Sequence, residues 1–237
     1  MSRIIAIANQ KGGVGKSTTA INLAASLALA EVNILVIDTD PQGNTTSGLG
    51  IEKGGSERTL YDVYSRKCGI TDAVRNTVIE HLSIIPSTVD LLGIEIEIVG
   101  SEGREKILLE SLSAIREKYH YILIDCPPSL GLLTLNALVA ADSVLVPVQC
   151  EYYALEGRGL LTNTLRLVRN SFNPALDIEG ILLTMFDARN SLSHQVAEEV
   201  RRHFGGKVYN TVIPRNVTLS EAPSHGKPAL LYDAKSR

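Results

Sequence analysis

The chain has 237 residues, 44% of them apolar and 21% charged, and a formal net charge of −3. With no long polar or low-complexity tract, that length and balance favour one large domain. The mild negative charge gives no general attraction to nucleic acid, and no apolar run reaches the ~18 residues of a membrane span.

A protein of this size buries about 70–75% of its unfolded surface and needs no covalent staple. Cys68, Cys126 and Cys150 are odd in number, far apart and without C-x-x-C spacing, so they read as reduced thiols. The chain enters its first strand with no signal peptide before it, so a cytoplasmic protein is expected.

Residues 4–8 form the first apolar run, and Lys11-Gly12-Gly13-Val14-Gly15-Lys16-Ser17-Thr18 follows it closely. This pattern reads as a phosphate cradle. Glycines let the backbone turn and bring N–H donors close to phosphate oxygens. Lys16 supplies a cation for the β/γ-phosphates, and the Ser17 hydroxyl is a Mg²⁺ ligand. Residues 17–30 then carry Ile21, Leu23, Ala24, Leu27 and Ala28 at helical spacing, so a helix N-terminus points at the anion. The loop departs from the common phosphate-loop pattern in having Gln10 where glycine is usual and a second lysine, Lys11, at its front.

Further apolar runs at 34–37, 121–124, 144–148 and 181–185 read as buried strands, with 82–85 and 209–213 weaker. Between them Ile107, Leu108, Leu112, Ile115 and Tyr119 form one helical face. Leu160, Leu161, Leu165 and Val168 form another, with Arg158, Arg166 and Arg169 on its other faces. Residues 48–56, the most glycine-rich stretch, are expected as a surface loop. The fold class that follows is α/β: a mostly parallel twisted sheet with helices on both faces, P-loop NTPase-like, in a single domain.

In such sheets ligands bind beyond the carboxyl ends of the strands. Asp38, Asp40 and Asp125 stand at such ends, placed to hold Mg²⁺ or its water shell opposite the phosphates. Capping of a nearby helix or loop is the alternative, chiefly for Asp38. The segment Thr184-Met185-Phe186-Asp187 lacks the lysine of a guanine-reading element, so adenine is expected. Met185 and Pro214-Arg215-Asn216 are candidates to line its pocket; for the tripeptide a plain turn is the alternative. Residues 185–237 hold eight Lys/Arg against five Asp/Glu, while residues 1–184 hold fifteen against twenty-one. The basic end is either a polyanion patch or ordinary solvated surface, and charge alone does not separate these.

Together the cradle, Asp40-Pro41-Gln42-Gly43-Asn44, Asp125-Cys126-Pro127-Pro128-Ser129-Leu130-Gly131, Cys150-Glu151 with the residues to Gly157, and Ile213-Pro214-Arg215-Asn216-Val217 closely resemble the ParA/Soj chromosome-partition ATPases. These belong to the deviant Walker-A superfamily that includes MinD, and the match spans residues 4–237. The resemblance implies an ATP-driven switch that forms a homodimer when ATP-bound. Lys11 would reach the phosphates held by the partner subunit, Thr18 would lie near the α-phosphate, Asp40 would position the attacking water and Asp125 would hold the Mg²⁺ shell. It also implies non-specific DNA binding through Arg189, with Arg201 and Arg202 as helpers, nucleoid association, and hydrolysis stimulated by a ParB/Spo0J-type partner.

Thr218 stands where the family often has arginine, and family chains usually continue into a further C-terminal helix. The alternative, a MinD-like membrane-positioning ATPase, requires a C-terminal amphipathic helix that this sequence does not contain, so no membrane partner is expected.

Overall fold

The computed structural model describes residues 2–54, 57–151 and 158–236, with side chains for all but 158–161. Residues 152–157 of the resemblance and the side chains of Arg158, Leu160 and Leu161 lie outside the described residues. In chain order the elements are β1 (Arg3–Ile7), α1 (Lys16–Leu29), β2 (Ile34–Asp38), α2 (Asn44–Gly48), α3 (Leu60–Tyr64), β3 (Arg75–Asn76), β4 (Leu82–Ile85) and α4 (Leu91–Glu97). Then come α5 (Ile107–Leu112), β5 (Tyr121–Asp125), α6 (Leu132–Ala140), β6 (Ser143–Gln149), α7 (Arg158–Ser171), β7 (Asp177–Phe186), α8 (Ser191–Phe204), β8 (Val208–Pro214), α9 (Thr218–Glu221) and α10 (Ala229–Tyr232).

The strands form one sheet in the order β3-β4-β2-β5-β1-β6-β7-β8, parallel except for the β3–β4 pair. Its central strands are apolar on both faces. On β1, Ile4 and Ala6 enter one core with Leu35 and Ile37 of β2, while Ile5 and Ile7 enter the other with Ile34 and Val36. Helix α1 covers the second face through Ala20, Ile21, Ala24, Ala25 and Ala28, and these small side chains let it lie close to the sheet. Leu108, Leu112, Leu133, Ala137, Leu165 and Val196 of α5 to α8 belong to the core on the first face. This double covering explains why the strands read as unbroken apolar runs. Among the described residues no helix is long and apolar enough to cross a membrane.

Two details differ from the sequence reading. Gly48 is not in a surface loop: it ends α2 and is buried, because a Cβ there would collide with Ile21 Cδ1. The glycine serves the close approach of two helices. The two-residue strand β3 had no apolar run to announce it, being Arg75-Asn76 at the sheet edge.

Candidate functional site

Beyond β1 the chain is turned by Asn9, whose amide donates to the Pro147 carbonyl (2.7 Å) and whose Oδ1 accepts the Lys11 N–H (3.0 Å). Gly13 and Gly15 have φ of +73° and +89°, where a side chain would be strained. The Val14 carbonyl between them accepts the Thr184 hydroxyl (2.9 Å), tying the loop to the end of β7. Gly15 is the residue before α1, and no side chain caps that helix. Its first N–H groups are left for an anion.

Lys16 opens α1 and is buried. Its ammonium donates to the Lys11 carbonyl (3.1 Å), inside its own loop. Burial lowers its pKa, against the opposing pull of Asp125, Cys126 and Asp40. Gly12 lies over Pro128, so the loop and the segment after Asp125 are neighbours.

Asp38 and Asp125 are register partners on β2 and β5. Both are fully buried, and burial pushes Asp38 up to about 7 and Asp125 up to about 6. Asp38 accepts the Asp40 N–H (3.1 Å) on one oxygen and the Thr46 N–H (2.8 Å) and hydroxyl (2.7 Å) on the other. It therefore caps α2, the alternative left open for it in the sequence. Asp40 accepts the Gln42 N–H on Oδ1 (2.9 Å), and its carbonyl accepts the Gly43 N–H (2.8 Å) in a turn completed by Gly43 at φ +60°. Its Oδ2 has no hydrogen-bond partner among the described residues.

Asp125 Oδ2 accepts the Thr45 hydroxyl (2.7 Å), whereas its buried Oδ1 has no partner among the described residues. The Ser17 hydroxyl and the Lys16 charge lie near enough to favour the ionised carboxylate, against burial and Asp40. A hydroxyl beside an orphaned carboxylate oxygen is a hard oxygen donor set, and it fits Mg²⁺, which keeps waters and phosphate oxygens as its other ligands. Among the described residues no group of three or more His, Cys, Asp or Glu could hold an ion by itself. Such a cation would be shared with a phosphate.

Sequence reasoning missed Thr39, Thr45 and Thr46. Thr39 donates to the Asp125 carbonyl (2.7 Å), and the Thr46 oxygen also accepts the Ser87 N–H (3.0 Å). The signal was the Thr45-Thr46 pair directly after the Asp40–Asn44 turn. Thr46→Val leaves both Asp38 and the Ser87 N–H short of a partner in a dry site. The expected cost is about 2–4 kcal/mol, a fall in Tm of roughly 5–15 °C by thermal denaturation. An unchanged Tm would contradict this role.

The remaining candidates lie outside this cluster. Met185 (φ +51°) is the penultimate residue of β7 and Pro214 the last of β8; Phe186 and Pro214 are register partners, and the Arg215 N–H donates to the Phe186 carbonyl (3.1 Å). Asn216 donates to the Ser236 hydroxyl (2.9 Å) and accepts the Thr218 N–H (2.7 Å). Lys11 and Arg215 both approach Glu151, at 3.9 and 3.8 Å. Arg189 is exposed and paired twice with Asp187, at 3.0 and 3.1 Å. Arg201 and Arg202 lie in the last turn of α8, while Arg189 precedes its Asn190 cap. Helix rise separates the two ends by roughly 18 Å, so the three arginines do not form one cluster.

An AAA-domain family model matches residues 2–178. Sporulation initiation inhibitor protein Soj of Bacillus subtilis (strain 168) is 58% identical over 237 residues, covering all of this chain and 94% of that protein. The chain belongs to the ParA/Soj family. Within this family, chromosome partitioning protein ParA of Myxococcus xanthus (strain DK1622) is 56% identical, over all of this chain and 84% of that protein. Among solved structures, cobyrinic acid a,c-diamide synthase from Mycobacterium smegmatis with a bound ATP analogue and magnesium superimposes with a TM-score of 0.87. The identity there is 34%, over 95% of this chain and 93% of that one. ParA/Soj membership thus rests on sequence, and the shared P-loop NTPase-like fold on both comparisons.

Proposed function

We propose that residues 1–237 act as one ATPase domain whose ATP-bound homodimer binds DNA without sequence preference and drives chromosome or plasmid segregation with a ParB/Spo0J-type partner. The observation that carries this reading is the buried Lys16 within electrostatic reach of Asp125, whose Oδ1 has no partner among the described residues, beside a left-handed glycine loop. A cation, a free carboxylate oxygen and unpaired helix N–H groups at one point suit a triphosphate with its metal.

In this mechanism the backbone N–H groups of Gly12, Gly13, Val14, Gly15, Lys16, Ser17 and Thr18 hold the phosphates, and Lys16 exchanges the Lys11 carbonyl for the β/γ-phosphate oxygens. Ser17 and Asp125 hold the Mg²⁺ shell, with Asp40 close by. When bound, Mg²⁺ neutralises charge on the phosphate oxygens. Met185, Pro214, Arg215 and Asn216 border the adenine. Asp40, with one oxygen fixed by Gln42 and the other open, orients the attacking water. Lys11 leaves Glu151 and contributes its charge to the partner subunit's triphosphate. An added cation of this kind accelerates phosphoryl transfer by roughly 10³–10⁵-fold in other NTPases.

DNA binding is assigned to Arg189, with Arg201 and Arg202 at the far end of α8 as a second contact. In the Arg189–Asp187 pair the arginine side chain is almost fully in solvent, and a DNA phosphate can replace the carboxylate at little cost. A gel shift on random duplex DNA at low salt tests the reading: retardation is expected with ATP and not with ADP or without nucleotide. Equal retardation in all three conditions would refute the switch. Arg189→Glu is expected to weaken binding about tenfold, equally on unrelated sequences. A loss confined to one sequence would argue against a backbone contact.

A further inference from the structure

The turn that carries Asp40 is gripped from outside as well as from within. After α2 the chain folds back: the Ile51 N–H donates to the Thr46 carbonyl (3.1 Å), and Ile51 packs against the core that α1 covers. Two residues on, the ammonium of the exposed Lys53 donates to the Gln42 carbonyl. Its stem lies along Gly43, where a Cβ would stand 2.8 Å from Lys53 Cε and 3.2 Å from the Ser87 carbonyl oxygen. Gly43 is thus buried between the lysine and the segment after β4.

Both backbone groups of Gln42 are engaged. Its N–H donates to Asp40 Oδ1 (2.9 Å) while its carbonyl accepts Lys53, and the Gly43 N–H closes on the Asp40 carbonyl (2.8 Å). An ammonium on the Gln42 carbonyl polarises the 42–43 peptide and strengthens the Gly43 N–H as a donor. A bond with a charged donor is roughly twice as strong as a neutral one. Among the described residues no carboxylate pairs with Lys53, so its charge acts on the turn. An exposed lysine on a carbonyl is ordinarily a surface staple. This one differs in its target, the residue whose N–H fixes the Asp40 carboxylate.

We infer that Lys53 is a positioning residue for ATP hydrolysis: by holding the Gln42 carbonyl it fixes the turn from which Asp40 directs the attacking water. This role rests on the ATPase reading above. Lys53 acts through Gln42 and not on the reacting atoms. A displacement of about 1 Å in such a group can cost ~10²-fold in rate. Loss of the clamp therefore slows hydrolysis while leaving the phosphate cradle, built by residues 11–18, as it is.

The test compares Lys53→Met, which keeps an unbranched stem over Gly43 and deletes the donor, with Lys53→Arg, which keeps a charged donor. Lys53 is exposed, so both variants should keep the parent's Tm. Amide hydrogen exchange on the nucleotide-free chain reads the clamp without reference to ATP. In Lys53→Met the Gln42 and Gly43 N–H groups are expected to exchange about 10-fold faster than in the parent, and in Lys53→Arg at the parental rate. Single-turnover hydrolysis should fall about 10-fold in Lys53→Met, with the Kd for ATP within about twofold, and recover in Lys53→Arg. Parental exchange or parental turnover in Lys53→Met would overturn the inference. So would equal impairment of Lys53→Arg, or a loss of ATP affinity that matches the loss of rate. A parent chain that hydrolyses no ATP would overturn the ATPase reading and this role with it; a hydrolysing parent with an unimpaired Lys53→Met overturns this role alone.

Discussion

Lys16→Ala is expected to abolish ATP binding. The lysine lies within electrostatic reach of two carboxylates, Asp125 at the end of β5 and Asp40 just beyond β2, and it is shielded from solvent. Its removal deletes a charge-assisted bond to the phosphates and leaves those acids facing a triphosphate uncompensated. Losing one partner of a buried ionic contact costs about 3–5 kcal/mol. That corresponds to roughly 10²–10⁴ in affinity. Calorimetric titration with Mg-ATP should give no measurable heat at concentrations that saturate the parent. The first turn of α1 should survive, since alanine is a better helix former and Lys16 donates to one loop carbonyl only. A variant that folds and still binds ATP at the parental affinity would remove Lys16 from the phosphate site.

Asp40→Ala is expected to do the opposite: binding persists and turnover nearly stops. Asp40 contributes to its own turn through Oδ1 and through its carbonyl, while no hydrogen bond among the described residues engages Oδ2. The substitution keeps the carbonyl contact with Gly43 and deletes the group that can receive or direct a proton. Positioned groups of this type contribute about 10²–10⁴-fold. Single-turnover hydrolysis should fall by that factor with the Kd for ATP changed by less than about threefold. Native turnover in the variant would take Asp40 out of the mechanism.

Much of this arrangement was legible before any coordinates. The central strands are buried on both faces, so their apolar runs were continuous, and the glycine loop with Lys16 and Ser17 announced itself by spacing alone. What stayed hidden arose from contacts across the sheet. Asp38 and Asp125 meet only because β2 and β5 pair in register, and only then do Thr45 and Thr46 acquire their purpose. Glycine reads as a loop residue by default, but Gly48 ends a helix and packs against the side chain of Ile21 on a neighbouring one. Strand β7 begins at Asp177, ahead of the apolar run, because Ile178 alternates with the polar Asp177 and Glu179 at that end. The separation of Arg189 from Arg201 and Arg202 likewise follows from the length of α8, which the run of charges did not reveal.

The central claim is that each subunit completes its neighbour's site with Lys11. Sedimentation of the Asp40→Ala protein with Mg-ATP, alone and combined with Lys11→Ala, tests it most directly. Asp40→Ala should sediment as a dimer with ATP and as a monomer with ADP, and the double variant should bind ATP yet remain a monomer. A double variant that dimerises as readily as Asp40→Ala would contradict the account.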